Sequence, residues 1–538
     1  MVIQEVMKRN HKRELKVTIA FLLCLCFVKA QAVEVSDSLK EVLRNGEAQF
    51  YTFNYPSKSV TGEDVVLSSL LVAWMPQKPA ETDSIESLHI YSHYTITSDN
   101  ESPSSSNNSI ERLLFGALAK KSYGMGISNP DYNFISRCII IAPDYEGYGV
   151  TRDRSHPYLS QEVTSQQVLD GVKYGLKLYQ KHINDKRALD FKSDWRSFGY
   201  GFSQGGAVAL AVHRYIEQND LSDELHFKGS ICGDGPYDLV ATMRYYLDDN
   251  GYSYDTQTSH LKGMSTMPMV MPMIIKAALD TYPYMKDHVI EDYFSQQFLD
   301  TGIMDWLASK NYSTGDIEKL WYQQTQSGLT ANGRHYTPEQ MAELFYSPSK
   351  NSVWSRFEKT FTPGFYEYVA NVENFNTVPT EEGDVWQDMH RALIDNSVCE
   401  GWEPWHRIQF VHSKGDMVVP FGNYLSFRDA HPDGEGELYR IDDSFTPQDH
   451  TSAGTQFFWA LAAYGTYGKY FKWLDEGEYT TGIESMDNSS SQSSGAGGAL
   501  FTLHSTLSDW YTLDGRRLNG RPTTKGIYVY KGKKIAIK

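Results

Sequence analysis

Residues 201–205, with the sequence Gly-Phe-Ser-Gln-Gly, constrain the fold of this chain more than any other segment. A strand-like stretch, 195–200, precedes them, and an apolar stretch of helical character, 206–215, follows them. Strand, tight turn and helix around G-x-S-x-G predict that the Ser203 hydroxyl stands clear of a sheet, at the positive end of a helix. The flanking glycines permit the dihedral angles and the close packing of such a turn. This placement favours a serine nucleophile over a purely structural glycine-rich turn.

A serine nucleophile needs a histidine base and a carboxylate that orients it. In folds built around this turn, they follow the serine in the order carboxylate, then histidine. Residues 408–412 are apolar enough for a buried strand, which runs into a turn at Gly415 and Asp416. Asp416 is therefore the candidate acid. The alternative is an Asx-turn carboxylate that only organises the loop.

The base is expected on a loop that follows one more strand and precedes the last helix. Residues 436–441 are predicted as that strand, 448–454 as the loop, and the apolar, aromatic segment 455–470 as the closing helix. His450 lies in this loop and is the candidate base.

Other histidines and carboxylates in this region fit the two roles less well. His412 falls inside the predicted strand, where a core histidine is expected, and His431 precedes the strand that should come before the base. Asp442, Asp443 and Asp449 crowd the candidate histidine in sequence and are interpreted as residues that solvate the loop.

An oxyanion hole needs two backbone N–H groups, one of them from the residue after the nucleophile. Gln204 is that residue. The second donor is expected on a loop after an early strand, predicted at 87–91, so Thr95 or Tyr94 is the candidate. His93 in the same loop has the alternative role of a hydrogen-bonding core residue.

These segments together resemble secreted α/β-hydrolases of the secretory lipase family and their bacterial esterase relatives. The resemblance covers roughly residues 87–470. It is carried by His-Tyr-Thr at 93–95, Pro-Asp-Tyr-Glu-Gly-Tyr-Gly at 143–149, His-Pro-Tyr-Leu at 156–159, the turn at Ser203, Gly415-Asp416 and His450. It implies an α/β-hydrolase fold with a mainly parallel sheet, a large helical cap insertion and ester hydrolysis. The family has a glycine where this chain has Tyr94, which leaves the second oxyanion donor open between Thr95 and Tyr94.

The chain termini predict export. Basic residues, an apolar run at 17–28 and the small-x-small site Ala30-Gln31-Ala32 are typical of a signal peptide, so the protein is expected to be secreted or at the cell surface, with the periplasm as an alternative. The formal net charge of −17 argues against nucleic acid and anionic membranes as partners. The end of the chain resembles the C-terminal sorting tails of the type IX secretion route, although a small accessory β module is the alternative. The secretion machinery is therefore an expected partner of both ends.

Composition and strand–helix alternation predict six segments. They are a signal peptide (1–32), the first part of the α/β-hydrolase core (33–237), a helical cap insertion (238–400), the second part of the core (401–480), a Ser- and Gly-rich linker (481–500) and a short β module of three strands (501–538).

The sequence thus predicts a secreted serine hydrolase that cleaves carboxylic esters, small or polysaccharide-linked, through Ser203, Asp416, His450 and an acyl-enzyme. No cofactor is required, and no metal site is expected because Cys-x-x-Cys and H-E-x-x-H spacings do not occur in the sequence. Two alternatives stay open. One is a serine exopeptidase of the same fold, and the other is a catalytically silent surface protein that binds a glycan through aromatic residues of the cap.

Overall fold

The computed structural model describes residues 38–105, 115, 137–181, 188–247, 262–443, 449–462 and 465–477, and four strands within 510–537. The predicted signal peptide (1–32) and linker (481–500) lie outside the described residues. The chain divides into two compact units, Met1–Thr480 and Thr481–Lys538. Among the described helices, none has the length and hydropathy of a membrane-spanning segment.

A nine-stranded sheet forms the centre of the first unit. Its strands are β1 (Lys40–Asn45), β2 (Ala48–Lys58), β3 (Asp64–Trp74), β4 (Ile85–Ser92), β5 (Cys138–Pro143), β6 (Phe191–Phe202), β7 (Phe227–Gly233), β8 (Arg407–Val411) and β9 (Tyr439–Asp442). Their spatial order is β1-β2-β3-β5-β4-β6-β7-β8-β9. The strands from β5 onward in this order are parallel, and β1, β2 and β3 are antiparallel to their neighbours. This confirms the predicted mainly parallel sheet.

The central strands are apolar because helices pack against the sheet. All six residues of β5 are buried, as expected of a parallel strand covered on both faces. Helix α1 (Gln161–Lys181) packs against β2 and helix α2 (Gln204–Gln218) against β6 and β7. The free thiols of Cys138, Cys232 and Cys399 are buried, and each behaves as a small apolar side chain.

The chain leaves the sheet after β7 and returns to it at β8. The described part of this insertion, which overlaps the predicted cap (238–400), is mainly helical. Its helices are α3 (Leu239–Leu247), α4 (Val270–Thr281), α5 (Gln296–Leu299), α6 (Ile303–Ser309), α7 (Thr314–Ser327), α8 (Pro338–Leu344), α9 (Phe357–Thr360), α10 (Pro363–Ala370), α11 (Val372–Asn376) and α12 (Val385–Asp395).

The described part of the insertion also contains two small sheets that were not predicted from the sequence. One is a hairpin of Leu329–Ala331 and Arg334–Tyr336. Its turn is Asn332-Gly333, with φ of 51° and 75°, and Asn-Gly is a strong hairpin signal in any sequence. The other is a three-stranded sheet of Met264–Ser265, Phe345–Ser349 and Ser352–Arg356.

At the end of the first unit, the sequence predicts a loop followed by one closing helix at 455–470. The structure differs from this prediction. The described residues form α13 (Gly422–Ala430), α14 (His450–Ala462) and α15 (Gly465–Glu476). Helix α14 begins at His450 because the preceding Asp449 caps it, accepting hydrogen bonds from Ser452 N at 3.0 Å and Ser452 Oγ at 2.7 Å. His450 is therefore in the first turn of a helix rather than in a loop, and Asp449 is a capping residue.

The second unit has four described strands where three were predicted. They are Trp510–Thr512, Arg517–Leu518, Gly526–Tyr530 and Lys533–Ile537, all paired antiparallel. Trp510–Thr512 pairs with both Arg517–Leu518 and Gly526–Tyr530, and Lys533–Ile537 pairs with Gly526–Tyr530.

Candidate active site

Ser203 lies between β6 and α2 with φ of 59° and ψ of −126°. Few residues other than glycine adopt a positive φ, and such strain persists where the surrounding structure holds it and concentrates at functional sites. The Ser203 N–H donates to the carbonyl of Gly233 at the end of β7, with an N···O distance of 2.9 Å. The serine is thus held in the strained turn that the G-x-S-x-G motif predicts.

The glycines at 201 and 205 are required by the approach of other backbone atoms. A Cβ on Gly201 would lie 2.3 Å from the Gly205 carbonyl oxygen and 2.5 Å from that of Ser92. A Cβ on Gly205 would lie 2.1 Å from the Ser92 oxygen and 2.7 Å from the His93 oxygen. The loop after β4 therefore lies directly against the turn that carries the serine.

Ser203, His450 and Asp416 form a continuous hydrogen-bonded chain. His450 Nε2 lies 2.9 Å from Ser203 Oγ, and His450 Nδ1 lies 2.5 Å from Asp416 Oδ2. Because a carboxylate only accepts, Nδ1 carries the proton and Nε2 presents a lone pair to the serine hydroxyl. The other oxygen of Asp416 accepts from the N–H groups of Val418 and Val419, at 2.8 Å and 2.9 Å. All three residues are at most 8% exposed.

A second carboxyl lies beside Asp416, and the sequence analysis missed it. One side-chain oxygen or nitrogen each of Asp234, His412 and Asp416 lies within 4.8 Å of the other two. Burial, and then the charge on Asp416, raise the pKa of Asp234 well above its usual value. Two buried carboxyls this close cannot both be ionised, so Asp234 is the neutral member and Asp416 carries the charge. The position of Asp234 in the sequence could have indicated it, because Asp234 directly follows β7 and Asp416 follows the neighbouring strand β8.

The same three residues are a group that could hold a metal ion among the described residues. Most of their polar side-chain atoms are already hydrogen-bonded within the protein, although His412 Nδ1 has no hydrogen-bond partner among the described residues. His412 Nε2 lies 2.9 Å from the carbonyl oxygen of Val419, so it carries a proton instead of a lone pair. Asp234 Oδ1 accepts from Ser413 N at 2.8 Å. The group is therefore explained as the hydrogen-bonded surroundings of the candidate acid.

The candidate oxyanion residues lie at the same place. The Gln204 N–H is in the first turn of α2, where N–H groups have no acceptor within the helix. The carbonyl of His93 approaches Gly205 closely, so Tyr94 and Thr95, the next residues of that loop, run beside the turn. The Tyr94 ring packs against Phe458 of α14, with centroids 5.8 Å apart. The contribution of Gln204 and of Thr95 or Tyr94 to an oxyanion hole stays a prediction.

The alternative acids and bases considered from the sequence form hydrogen bonds or ion pairs with other groups. These contacts are His431 Nε2 to the Cys399 carbonyl at 2.7 Å, Asp442 to the Tyr470 hydroxyl, and Asp443 to Lys414. The motif residue Asp144 is also occupied, accepting from Ser68 Oγ at 2.6 Å and Ser104 N at 2.8 Å, and burial raises its pKa to about 6. It organises its loop and has no contact with the hydrogen-bonded chain among the described bonds.

The solved structures that are similar to this chain include an esterase and a putative hydrolase. The rice cell wall degrading esterase LipA from Xanthomonas oryzae is 17% identical with a TM-score of 0.55, and the match covers 80% of this chain and 97% of that one. A putative hydrolase from Legionella pneumophila is 16% identical with a TM-score of 0.51, covering 80% of this chain and 91% of that one. No family model matches the chain, and no curated protein sequence matches it. At these identities the likeness shows the architecture, and this chain has the predicted α/β-hydrolase fold.

Proposed function

We propose that this protein is a secreted serine hydrolase that cleaves carboxylic esters. The observation that carries the proposal is the hydrogen-bonded chain from Ser203 Oγ through His450 to Asp416. It lies on a strained turn at the carboxyl ends of parallel strands, where α/β folds bind their ligands.

In this mechanism His450 Nε2 takes the Ser203 hydroxyl proton while Oγ attacks the ester carbonyl carbon. The N–H of Gln204 and an N–H of Thr95 or Tyr94 stabilise the oxyanion of the tetrahedral intermediate. The intermediate collapses as the protonated imidazole gives its proton to the leaving alkoxide, which departs as the alcohol. A water molecule then attacks the acyl-enzyme by the same steps and releases the carboxylic acid and Ser203.

The electrostatics of the acid support this cycle. An imidazolium forms at His450 during each half-reaction, and the single negative charge on Asp416 stabilises it. The neutral Asp234 hydrogen-bonds beside it without adding a second charge.

The burial of the site bears on the substrate. Ser203 and His450 are 7% and 8% exposed, so neighbouring groups surround the reacting atoms. The cap contributes to this surround, because the hydroxyl of Tyr246 in α3 donates to the carbonyl of Val418 at 2.6 Å. We propose small-molecule or polysaccharide-linked esters as substrates. The LipA neighbour is described as a rice cell wall degrading esterase.

Export of the protein is part of the same proposal. It is supported by the basic residues, apolar run and small-x-small site within 1–32. Secretion machinery is the proposed partner of this segment and of the C-terminal strands.

The experiment is a turnover assay on the chain from Val33, using nitrophenyl esters of increasing acyl length and aminoacyl nitroanilides. Ester turnover should fall by about 10⁴- to 10⁶-fold in Ser203→Ala. The matched control is Ser165→Ala, which removes a buried hydroxyl on α1 that donates to the Glu162 carbonyl, and it should retain full activity. Turnover of anilides alone would replace the proposal with an exopeptidase. Silence of the wild-type protein on both substrate classes would favour the glycan-binding alternative.

A further inference from the structure

The segment His-Pro-Tyr-Leu at 156–159 contacts both sides of the candidate oxyanion hole. His156 Nε2 lies 2.8 Å from Nε2 of Gln204, and the Tyr158 hydroxyl lies 2.8 Å from Oγ1 of Thr95. Neither residue belongs to the chain of Ser203, His450 and Asp416. The segment therefore connects the residue after the nucleophile to the loop after β4 through two side-chain bonds.

The protonation of His156 follows from its partners. Its Nδ1 lies 2.8 Å from the carbonyl oxygen of Glu146, which can only accept, so Nδ1 carries the proton. Burial, and then the charge on Lys310, lower the pKa of His156 well below its usual value, which keeps the ring neutral. Nε2 is then an acceptor, and the Gln204 side chain must present its NH₂ group to it. The reverse amide orientation would set two lone pairs against each other.

His156 is itself held firmly. A Cβ on Gly147, whose φ is +93°, would lie 2.7 Å from the His156 Cα, so these two backbone segments are in direct contact. The imidazole ring also packs against the ring of Tyr148, with centroids 4.9 Å apart. A side chain fixed at its backbone, at Nδ1 and on its ring face is a rigid support for Gln204.

Tyr158 performs the same task for the other loop. Its side chain is buried, and burial raises its pKa to about 12, so the hydroxyl stays protonated and can bond to Thr95. In the loop at 93–95, Tyr94 occupies the position at which the family that this chain resembles has a glycine. The bond from Tyr158 fixes the position of Thr95 from outside this loop.

We propose that His156 and Tyr158 are positioning residues that hold the oxyanion donors of Gln204 and Thr95 in place. The inference rests on the proposed function and deepens it. An oxyanion donor acts when it lies about 2.7–3.1 Å from the developing charge, so small displacements weaken it. Because this interaction is made in the transition state, its loss lowers kcat and leaves KM unchanged.

The test compares tyrosine variants on the ester turned over best by the wild-type protein. Tyr158→Phe removes the hydroxyl that reaches Thr95 and should lower kcat about ten- to a hundredfold at constant KM, less than the loss of a whole donor. The matched control is Tyr179→Phe in α1, which removes a buried hydroxyl bonded to Leu189 at 3.1 Å and should leave kcat unchanged. A boronic acid that forms a tetrahedral adduct should bind Tyr158→Phe more weakly by the same factor.

Variants of Thr95 show whether a loss of kcat in Tyr158→Phe comes from the missing hydrogen bond or from a folding defect. Thr95→Val removes the hydroxyl that bonds to Tyr158 and should lose as much kcat as Tyr158→Phe, whereas Thr95→Ser keeps that hydroxyl and should lose less than Thr95→Val. The double variant Thr95→Val with Tyr158→Phe should lose no more than either single variant.

The outcomes separate the two proposals. Wild-type ester turnover with equal kcat in Tyr158→Phe and Tyr179→Phe would overturn the positioning role and leave the proposed function intact. A rise in KM without a fall in kcat would assign Tyr158 to substrate binding and also overturn it. Absence of wild-type ester turnover would refute both proposals together.

Discussion

Asp416 bonds to the candidate base and Asp234 lies beside Asp416, and the structure predicts different outcomes when each carboxyl becomes an amide. Asp416 Oδ2 accepts from His450 Nδ1 at 2.5 Å, while Asp234 is the neutral partner whose Oδ1 accepts from Ser413 N at 2.8 Å. Asparagine has the shape of aspartic acid, is neutral and both donates and accepts. It therefore imitates the protonated Asp234 but not the ionised Asp416.

The magnitudes follow from these roles. Asp416→Asn removes the charge that stabilises the imidazolium and can present an N–H to Nδ1, which favours the wrong tautomer of His450. A fall of about 10⁴ in kcat is expected, equivalent to about 5 kcal/mol of transition-state stabilisation. Asp234→Asn keeps the bond from Ser413 and a donor toward Asp416, so kcat should change by about threefold or less.

The assay is ester turnover at neutral pH on variants whose folding is checked by thermal unfolding. Comparable kcat in Asp416→Asn and Asp234→Asn would refute the assignment of the single charge to Asp416. A larger loss in Asp234→Asn would reverse it.

Two further predictions concern stability. Burial opposes ionisation of Glu217, but charge and a hydrogen bond from His213, together with hydrogen bonds from the side chain and backbone of His406, lower its pKa to about 2. Because this folded-state pKa is depressed, the stabilising effect of Glu217 is present above about pH 4.5 and is lost as the pH falls toward 2. Urea unfolding should therefore show Glu217→Gln less stable than wild type by up to about 3 kcal/mol at pH 6, with the difference shrinking by pH 3, and a pH-independent difference would contradict this. Gly201→Ala would set a Cβ 2.3 Å from the Gly205 carbonyl oxygen and should destabilise the fold by about 3 kcal/mol or more. Gly315→Ala in α7, with no atom within 4 Å of the added Cβ, is the control, and equal melting temperatures of the two variants would argue against the close approach.

The fold was predictable where apolar runs and turn motifs coincide. The strand predicted at 87–91 lies in β4, residues 408–411 of the strand predicted at 408–412 lie in β8, and the mainly parallel sheet was confirmed. The strands β1 and β2 were missed, since they form an antiparallel edge where the apolar signal is weaker. The cap hairpin at 329–336 was missed although Asn332-Gly333 marks it, because the region was interpreted by its helical composition.

The candidate site was predictable as far as chain order carries it. Ser203, Asp416 and His450 were selected from the turn motif and the order of strands, and they are hydrogen-bonded to one another. The helical start at His450 was not anticipated, because the cap formed by Asp449 was interpreted as a solvating carboxylate. Asp234 depends on the pairing of β7 with β8, which is a property of the folded sheet and leaves no local pattern in the sequence.

In the proposed reaction Ser203 forms a covalent intermediate, and trapping that residue is the decisive experiment. The chain from Val33 would be treated with a nitrophenyl phosphonate ester, digested, and analysed by peptide mass spectrometry. We expect a single phosphonyl adduct on Ser203, which forms at the same rate as ester turnover is lost and is absent from Ser203→Ala. Full inactivation with the adduct on another residue, or ester turnover that persists without any adduct on Ser203, would contradict it.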